Sequence, residues 1–181
     1  NMINRKANML IKPCEIPNNS FLSKYHNDIG FADCYVCEVP GVISQTVFIE
    51  AFYTSPLFKI ERTILKYLAA KPASDYDAKQ LAQGQVKTFS AWQVETQSND
   101  ELLLTDYTGR TRSWLMAVPI NHENSPTSTL LHFGSAVIAQ THSASQKPSM
   151  GFLFRALLGF HRIYSHLLLR AACKRALKII S

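Results

Sequence analysis

The chain has 181 residues, 46% of them hydrophobic and 18% charged, which is enough apolar material for one full core and too much for a disordered polymer. Its net charge of +6 comes from 19 basic and 13 acidic residues, but six of the basic ones (Arg155, Arg162, Arg170, Lys174, Arg175 and Lys178) lie in the last thirty or so residues, and the remainder of the chain is balanced. That distribution, without interleaved exposed aromatics or a nucleic-acid-reading motif, argues against nucleic acid as a partner, and no uncharged apolar run reaches the roughly 18 residues of a membrane span.

Four cysteines, Cys14, Cys34, Cys37 and Cys173, are too few and too scattered to predict a disulfide framework. Cys34 and Cys37 form a CxxC, but on a strand residues three apart point to opposite faces, which argues against a shared metal or disulfide. With no apolar leader in NMINRKANMLIKPCEIP, the expected location is the reducing cytoplasm.

Residues 1–30 carry Pro13, Pro17, Asn18, Asn19, Asn27 and Gly30, and read as a largely irregular N-terminal extension ahead of a single domain over 31–181. The first strand is predicted from Phe31 to Val39, stopped by Pro40 and Gly41. Ser44 can cap a short helix with Val47, Phe48, Ala51 and Phe52 on its apolar side. Ser55 and Pro56 can open a second, whose buried stripe is Leu57, Ile60, Ile64, Leu65 and Leu68. Between 71 and 87 the pattern is weak, although Ser74 with Asp77 resembles a helix start and Gly84 a stop.

Next come alternating segments, Lys87 to Gln97, Glu101 to Tyr107, Arg110 to Asn121 and Thr129 to Thr141, which predict an antiparallel meander. In the third of these, Arg112, Trp114, Met116, Val118 and Ile120 share one face, taken as the inner one. A two-residue turn at Thr108-Gly109 would put Leu103 beside Trp114, and a three-residue turn Leu102. The stretch from Gly151 to Ile180 has no proline and no acidic residue, so it is predicted as one long helix cradled by the sheet. Its packing face is read as Leu153, Leu157, Phe160, Tyr164, Leu167, Leu168 and Ala171. The basic stripe lies opposite, and Phe154, Leu158 and Leu169 fall on a flank that docks on the short helices or, as the lesser alternative, on a second copy in a homodimer.

The resulting order of one strand, two short helices, antiparallel strands and a long terminal helix resembles the helix-grip fold of the START and birch-pollen-allergen superfamily, also called SRPBCC. Local motifs from about residue 31 to 175 resemble an uncharacterised bacterial family within it, sometimes fused behind short-chain dehydrogenase-like domains. These are Asp33-Cys34-Tyr35, Asp100-Glu101-Leu102, the strand Trp114 to Val118 and Phe160-His161-Arg162. Gly159 stands where that family has proline, and Thr111-Arg112-Ser113 where it tends to have His-Leu-Asp. The resemblance implies an α+β fold: a curved antiparallel sheet around a long C-terminal helix, with two short helices after the first strand and a cavity between sheet and helix.

The expected function is accordingly binding of a small hydrophobic or amphipathic molecule, an anionic one among the candidates. Trp92, Arg112, Trp114, Met116, Phe133, Phe160, His161 and Tyr164 are the candidate ligand-binding residues. The apolar ones are equally ordinary core. Arg112 is the most informative, because a guanidinium at an inward position must find a carboxylate, a carbonyl or a ligand; Asp33 or Asp106 are its structural candidates and a ligand head its functional one. His132 and His161 read first as hydrogen-bonded histidines. No Ser/His/Asp spacing, phosphate loop or metal cluster stands out, so neither a cofactor nor a catalytic residue is predicted. Two alternatives remain: an interaction protein using the basic helix on an anionic membrane or partner, and a cyclase- or hydrolase-type enzyme using the same cavity.

Overall fold

The computed structural model describes residues 9–25, 29–68, 70–122, 125–138 and 150–181, with side chains placed for all of these except 29, 30, 64, 65, 68, 122, 125, 126 and 150–160. Seven strands form one antiparallel sheet. They are β1 (Ile11–Pro13), β2 (Ile29–Pro40), β3 (Thr88–Phe89), β4 (Trp92–Gln97), β5 (Glu101–Asp106), β6 (Thr111–His122) and β7 (Ser125–Ile138), in the spatial order β1-β2-β7-β6-β5-β4-β3. The meander β3 to β7 is local hairpin pairing, whereas β2 reaches across the chain to pair with β7, leaving β1 and β3 as open edges. Four helices accompany it: α1 (Gln45–Tyr53), α2 (Pro56–Leu68), α3 (Asp75–Ala82) and α4 (Met150–Ile180).

The helix starts follow the expected chemistry. The Ser44 hydroxyl accepts from Val47 N at 3.2 Å, that of Ser55 from Phe58 N at 3.3 Å, and Ser74 with Asp77 forms a reciprocal capping box. Gly84, at φ +70°, follows α3 in a conformation that glycine adopts without steric cost. Leu103 pairs with Trp114, one of the two registers left open, and the turn is closed by the Gly109 amide donating to the Asp106 carbonyl at 2.9 Å, with Gly109 at a positive φ of +73°. The β6–β7 connection is tighter than expected, since β7 begins at Ser125, within the stretch read as a loop.

Two faces of the sheet are covered, and the expected assignment of faces is reversed. Leu115, Ala117, Leu131, Phe133, Leu102 and Leu104 pack with α1 and α4 in the main core. Trp114 and Leu103 lie on the other side, with Leu22, Cys34 and Ala136. That second cluster is roofed by residues read as irregular, namely Cys14, Ile16 and a 3-10 turn over Phe21–Tyr25. Among the residues that hold this roof down, Glu101 is the central anchor. Its Oε2 accepts from the Trp114 indole N–H and from the Phe21 amide, each at 2.7 Å. Trp114 is fully buried, but as the foundation of the roof and not as a wall facing the helix.

Gly134, paired with Trp114 in the register, makes room for the indole. A Cβ there would stand 2.9 Å from Leu22 Cδ2, 3.0 Å from Trp114 Cε3 and 3.3 Å from the Asp33 carbonyl. Gly134→Ala should therefore destabilise the protein by about 1–3 kcal/mol through overpacking. An unchanged denaturation midpoint would show that Leu22 moves aside freely.

Helix α4 is rotated by about one residue, or 100°, from the predicted orientation. Ser165, Leu168, Leu169, Ala172, Cys173 and Ala176 are buried, whereas Leu167 is 46% exposed. Its broadest contact is with α1, and it also packs directly on β2, β7 and β1 of the sheet. Small residues at 165, 172, 173 and 176 allow the close helix approach. A pattern weighted by large apolar residues is drawn instead toward Leu167 and Tyr164.

The cysteines are less scattered in space than along the chain. Cys34 and Cys37 do face opposite sides, as strand alternation requires, but each has a partner: Cys14 Sγ lies 2.8 Å from Cys34 Sγ, and Cys37 neighbours Cys173. All four are free thiols. Among the described residues no helix is long and apolar enough to cross a membrane.

Candidate functional site

At one end of the helical layer a cavity of about 600 Å³ opens between α2, α4 and the sheet. Phe52, Leu57, Phe58, Trp92, Phe133 and Leu168 supply its apolar walls. The aromatic part is rigid, because Phe52 packs against Phe58 (ring centroids 5.9 Å apart) and against Phe133 (4.8 Å). Trp92 adds an indole N–H that has no hydrogen-bond partner among the described residues.

The polar groups of the cavity come from a break in strand alternation. On the helix-facing side, Asp33 of β2, Ser135 of β7 and Ser113 of β6 sit directly opposite one another in three adjacent strands, one polar row in a largely apolar surface. Over that row α4 places His161 and Ser165. The Ser135 hydroxyl donates to Asp33 Oδ1 and lies 2.6 Å from His161 Nε2. Ser165 Oγ is 3.5 Å, and Asp33 Oδ2 3.7 Å, from the same nitrogen. The Phe31 and His161 rings meet edge to face, with centroids 5.9 Å apart.

A second polar system joins α2 to α4, where the Tyr164 hydroxyl donates to Glu61 Oε2. Burial pushes the Glu61 carboxyl above the usual carboxylate range, and the Tyr164 hydrogen bond and the nearby His161 only partly offset this. Burial, reinforced by the Glu61 charge, likewise raises the Tyr164 hydroxyl.

Of the eight residues singled out from the sequence, Trp92, Phe133, His161 and Tyr164 line this cavity. Trp114 and Met116 do not, because they belong to the opposite face of the sheet. Phe160 lies outside the described side chains. Arg112 borders the cavity, but its guanidinium is committed elsewhere: Nε lies 2.7 Å from Glu95 Oε2, Nη1 donates to the Gly109 carbonyl at 2.8 Å, Nη2 to the Tyr25 hydroxyl at 3.2 Å, and the group stacks 4.6 Å over the Tyr25 ring. Neither Asp33 nor Asp106 is its ion-pair partner. Asp33 serves Ser135, and Asp106 accepts the Arg110 and Thr111 amides at 2.9 Å to close the hairpin.

Arg112 is thus a structural cation clamping the N-terminal turn to the sheet. Burial opposes the charge on Glu95, but Lys24, Tyr25 and Arg112 together hold its carboxyl below the usual range. The resulting stability is present above the unfolded-state value, roughly 4.3, and is lost as pH falls through the lower folded value. Arg112→Leu should cost about 1.5–3 kcal/mol near neutrality. The difference from wild type should shrink as the pH is lowered toward the acid range, which denaturation at several pH values will measure. A pH-independent difference would detach Arg112 from Glu95.

Glu61, Ser135 and Glu101 were not among the residues singled out. For Ser135 a signal did exist, since a serine interrupts the apolar side of β7 where Ser113 interrupts that of β6; the pairing of the two strands turns two unremarkable serines into one row. Comparison of the chain with models of known families, with characterised proteins and with solved structures finds no match.

Proposed function

We propose that this chain is a helix-grip-type binding protein that encloses one small, mostly apolar molecule between α2, α4 and the sheet. The observation that carries this reading is the cavity itself, a rigid aromatic and aliphatic hollow of about 600 Å³ with a few convergent polar groups at Glu61, Tyr164 and His161. That is the usual make-up of a ligand site: apolar walls supply affinity and sparse polar groups orient the guest. Strand order supports the fold-level part, since β2 closes onto the last strand of the meander and the terminal helix packs on the same side of the sheet as α1.

The polar groups favour a neutral head that exchanges hydrogen bonds, such as a carbonyl or hydroxyl, over an anionic one. The Arg112 guanidinium is already spent on Glu95, and the Asp33 carboxylate would repel an anion. The basic stripe of α4, with Arg170, Lys174 and Lys178 exposed, supports the membrane or partner reading less well, because cations at a helix C-terminus already complement its dipole.

Native mass spectrometry of freshly purified protein tests for a retained guest. Titration with methyl nonyl ketone, followed through Trp92 fluorescence, tests the location. Leu57→Trp, which fills the cavity, should weaken binding by about tenfold or more, equivalent to roughly 1.4 kcal/mol. Met116→Ala, on the other face, should leave binding unchanged. The opposite pattern would move the site to the other side of the sheet.

A further inference from the structure

The hydrogen bonds around His161 have a direction. Because the Ser135 hydroxyl donates its proton to Asp33 Oδ1, its oxygen is left to accept, and the group 2.6 Å away is His161 Nε2. That assigns the imidazole proton to Nε2 and leaves the lone pair on Nδ1, which makes no hydrogen bond among the described residues. Asp33 Oδ2, buried and without a hydrogen-bond partner of its own among them, stands 3.7 Å from His161 Nε2. A carboxylate acting on an imidazole through an ordered hydroxyl fixes its tautomer and ring orientation. This exceeds what a merely structural histidine needs.

Glu61 and Tyr164 supply complementary chemistry. Tyr164 follows His161 by three positions on α4, so the two side chains are neighbours on the helix surface, and the Tyr164 hydroxyl is already engaged with Glu61. Burial of Glu61 increases the share of its neutral acid form, which can donate an O–H into the cavity while still accepting from Tyr164.

We propose that the cavity is a proton-transfer site for carbon acids, in which Nδ1 of His161 removes a proton from the carbon beside a ketone carbonyl while Glu61, held in place by the Tyr164 hydroxyl, receives the carbonyl oxygen. This rests on the binding reading given above. In the forward step Nδ1 takes the proton, and the C–H electron pair becomes the C=C bond of an enol. The carbonyl π pair moves onto oxygen, which takes the Glu61 proton. In return the His161 proton goes back to carbon and the enol proton to Glu61, so the step needs no oxidant, reductant or metal. Substrates are ketones with an apolar body, for which Phe52, Phe58, Trp92 and Phe133 form the walls. His161 and Glu61 are the catalytic residues; Ser135 and Asp33 act through His161, and Tyr164 through Glu61, as positioning residues.

The test uses the full chain with methyl nonyl ketone in deuterated buffer. Proton NMR follows deuterium uptake at the carbons flanking the carbonyl, and Trp92 fluorescence follows binding in parallel. Wild type should exchange about 100-fold or more faster than His161→Gln, in the range typical of a positioned general base. Tyr164→Phe should slow exchange measured at saturating ketone, and provides the check should His161→Gln not fold.

The titratable groups facing His161 are Asp33 from β2, Glu61 from α2 and Tyr164 from α4. Asp33→Asn weakens the acceptor that orders the Ser135 hydroxyl, so the exchange rate at saturating ketone should fall while ketone affinity is unchanged, a split that a purely structural role would not produce. Bound ketone exchanging no faster than in buffer, or His161→Gln exchanging like wild type, overturns proton transfer and leaves the binding reading standing. Failure of the ketone to bind removes both.

Discussion

Trp114→Ala should lower the unfolding free energy by about 3–5 kcal/mol. The indole is fully buried among Leu22, Cys34, Leu103 and Ala136, and its N–H donates to Glu101. Alanine would leave a cavity and deprive a buried carboxylate of one of its two donors, with only the Phe21 amide remaining. Trp114→Phe separates the effects. It restores most of the volume but no donor, and should cost about 1.5–3 kcal/mol, the range of a hydrogen bond to a charged group. Chemical denaturation measures both. A loss below about 1 kcal/mol for Trp114→Ala would mean that the N-terminal turn does not close over the sheet as described. Ketone binding by the same variants, in conditions where they stay folded, should be unaffected, because Trp114 lies on the face of the sheet away from the cavity.

Leu169→Ala should cost about 2–5 kcal/mol and Leu167→Ala no more than about 0.5 kcal/mol. The two residues are chemically identical and two positions apart on one helix, so propensity and composition cancel in the comparison. What differs is orientation: Leu169 is fully buried in the main core, and Leu167 is 46% exposed at the cavity mouth. Denaturation midpoints of the two variants decide the rotation of α4. The reverse ranking would restore the face that includes Leu167 and would require a different approach of α4 to α1.

Caps and breakers were readable along the chain because they are local, whereas the stripe read for α2 was not, since Ile60 is 59% exposed and Phe58 is buried in its place, with Ile64, Leu65 and Leu68 outside the described side chains. Ser44, Ser55 and Ser74 begin helices for reasons confined to one helical turn, and Pro40-Gly41 ends a strand for reasons confined to two residues. The α+β class, the antiparallel meander and the long terminal helix follow from such signals together with hydrophobic period. Strand alternation also determined that Cys34 and Cys37 face apart.

What alternation could not decide was which face of β6 is the inner one, because both faces of this sheet are buried. Trp114 and Leu115 are equally inaccessible, one beneath the N-terminal turn and the other beneath the helices. Arg112 misled for the same reason. Its partner Glu95 belongs to β4, two strands away, and Tyr25 comes from a segment whose prolines and asparagines conceal a roof for the sheet. The rotation of α4 depended on a face of small residues that only close contact with α1 makes favourable. The polar row of Asp33, Ser135 and Ser113, with His161 above it, exists only once β2 has paired with β7 across about a hundred residues of chain, since register is a property of two strands and is written in neither alone.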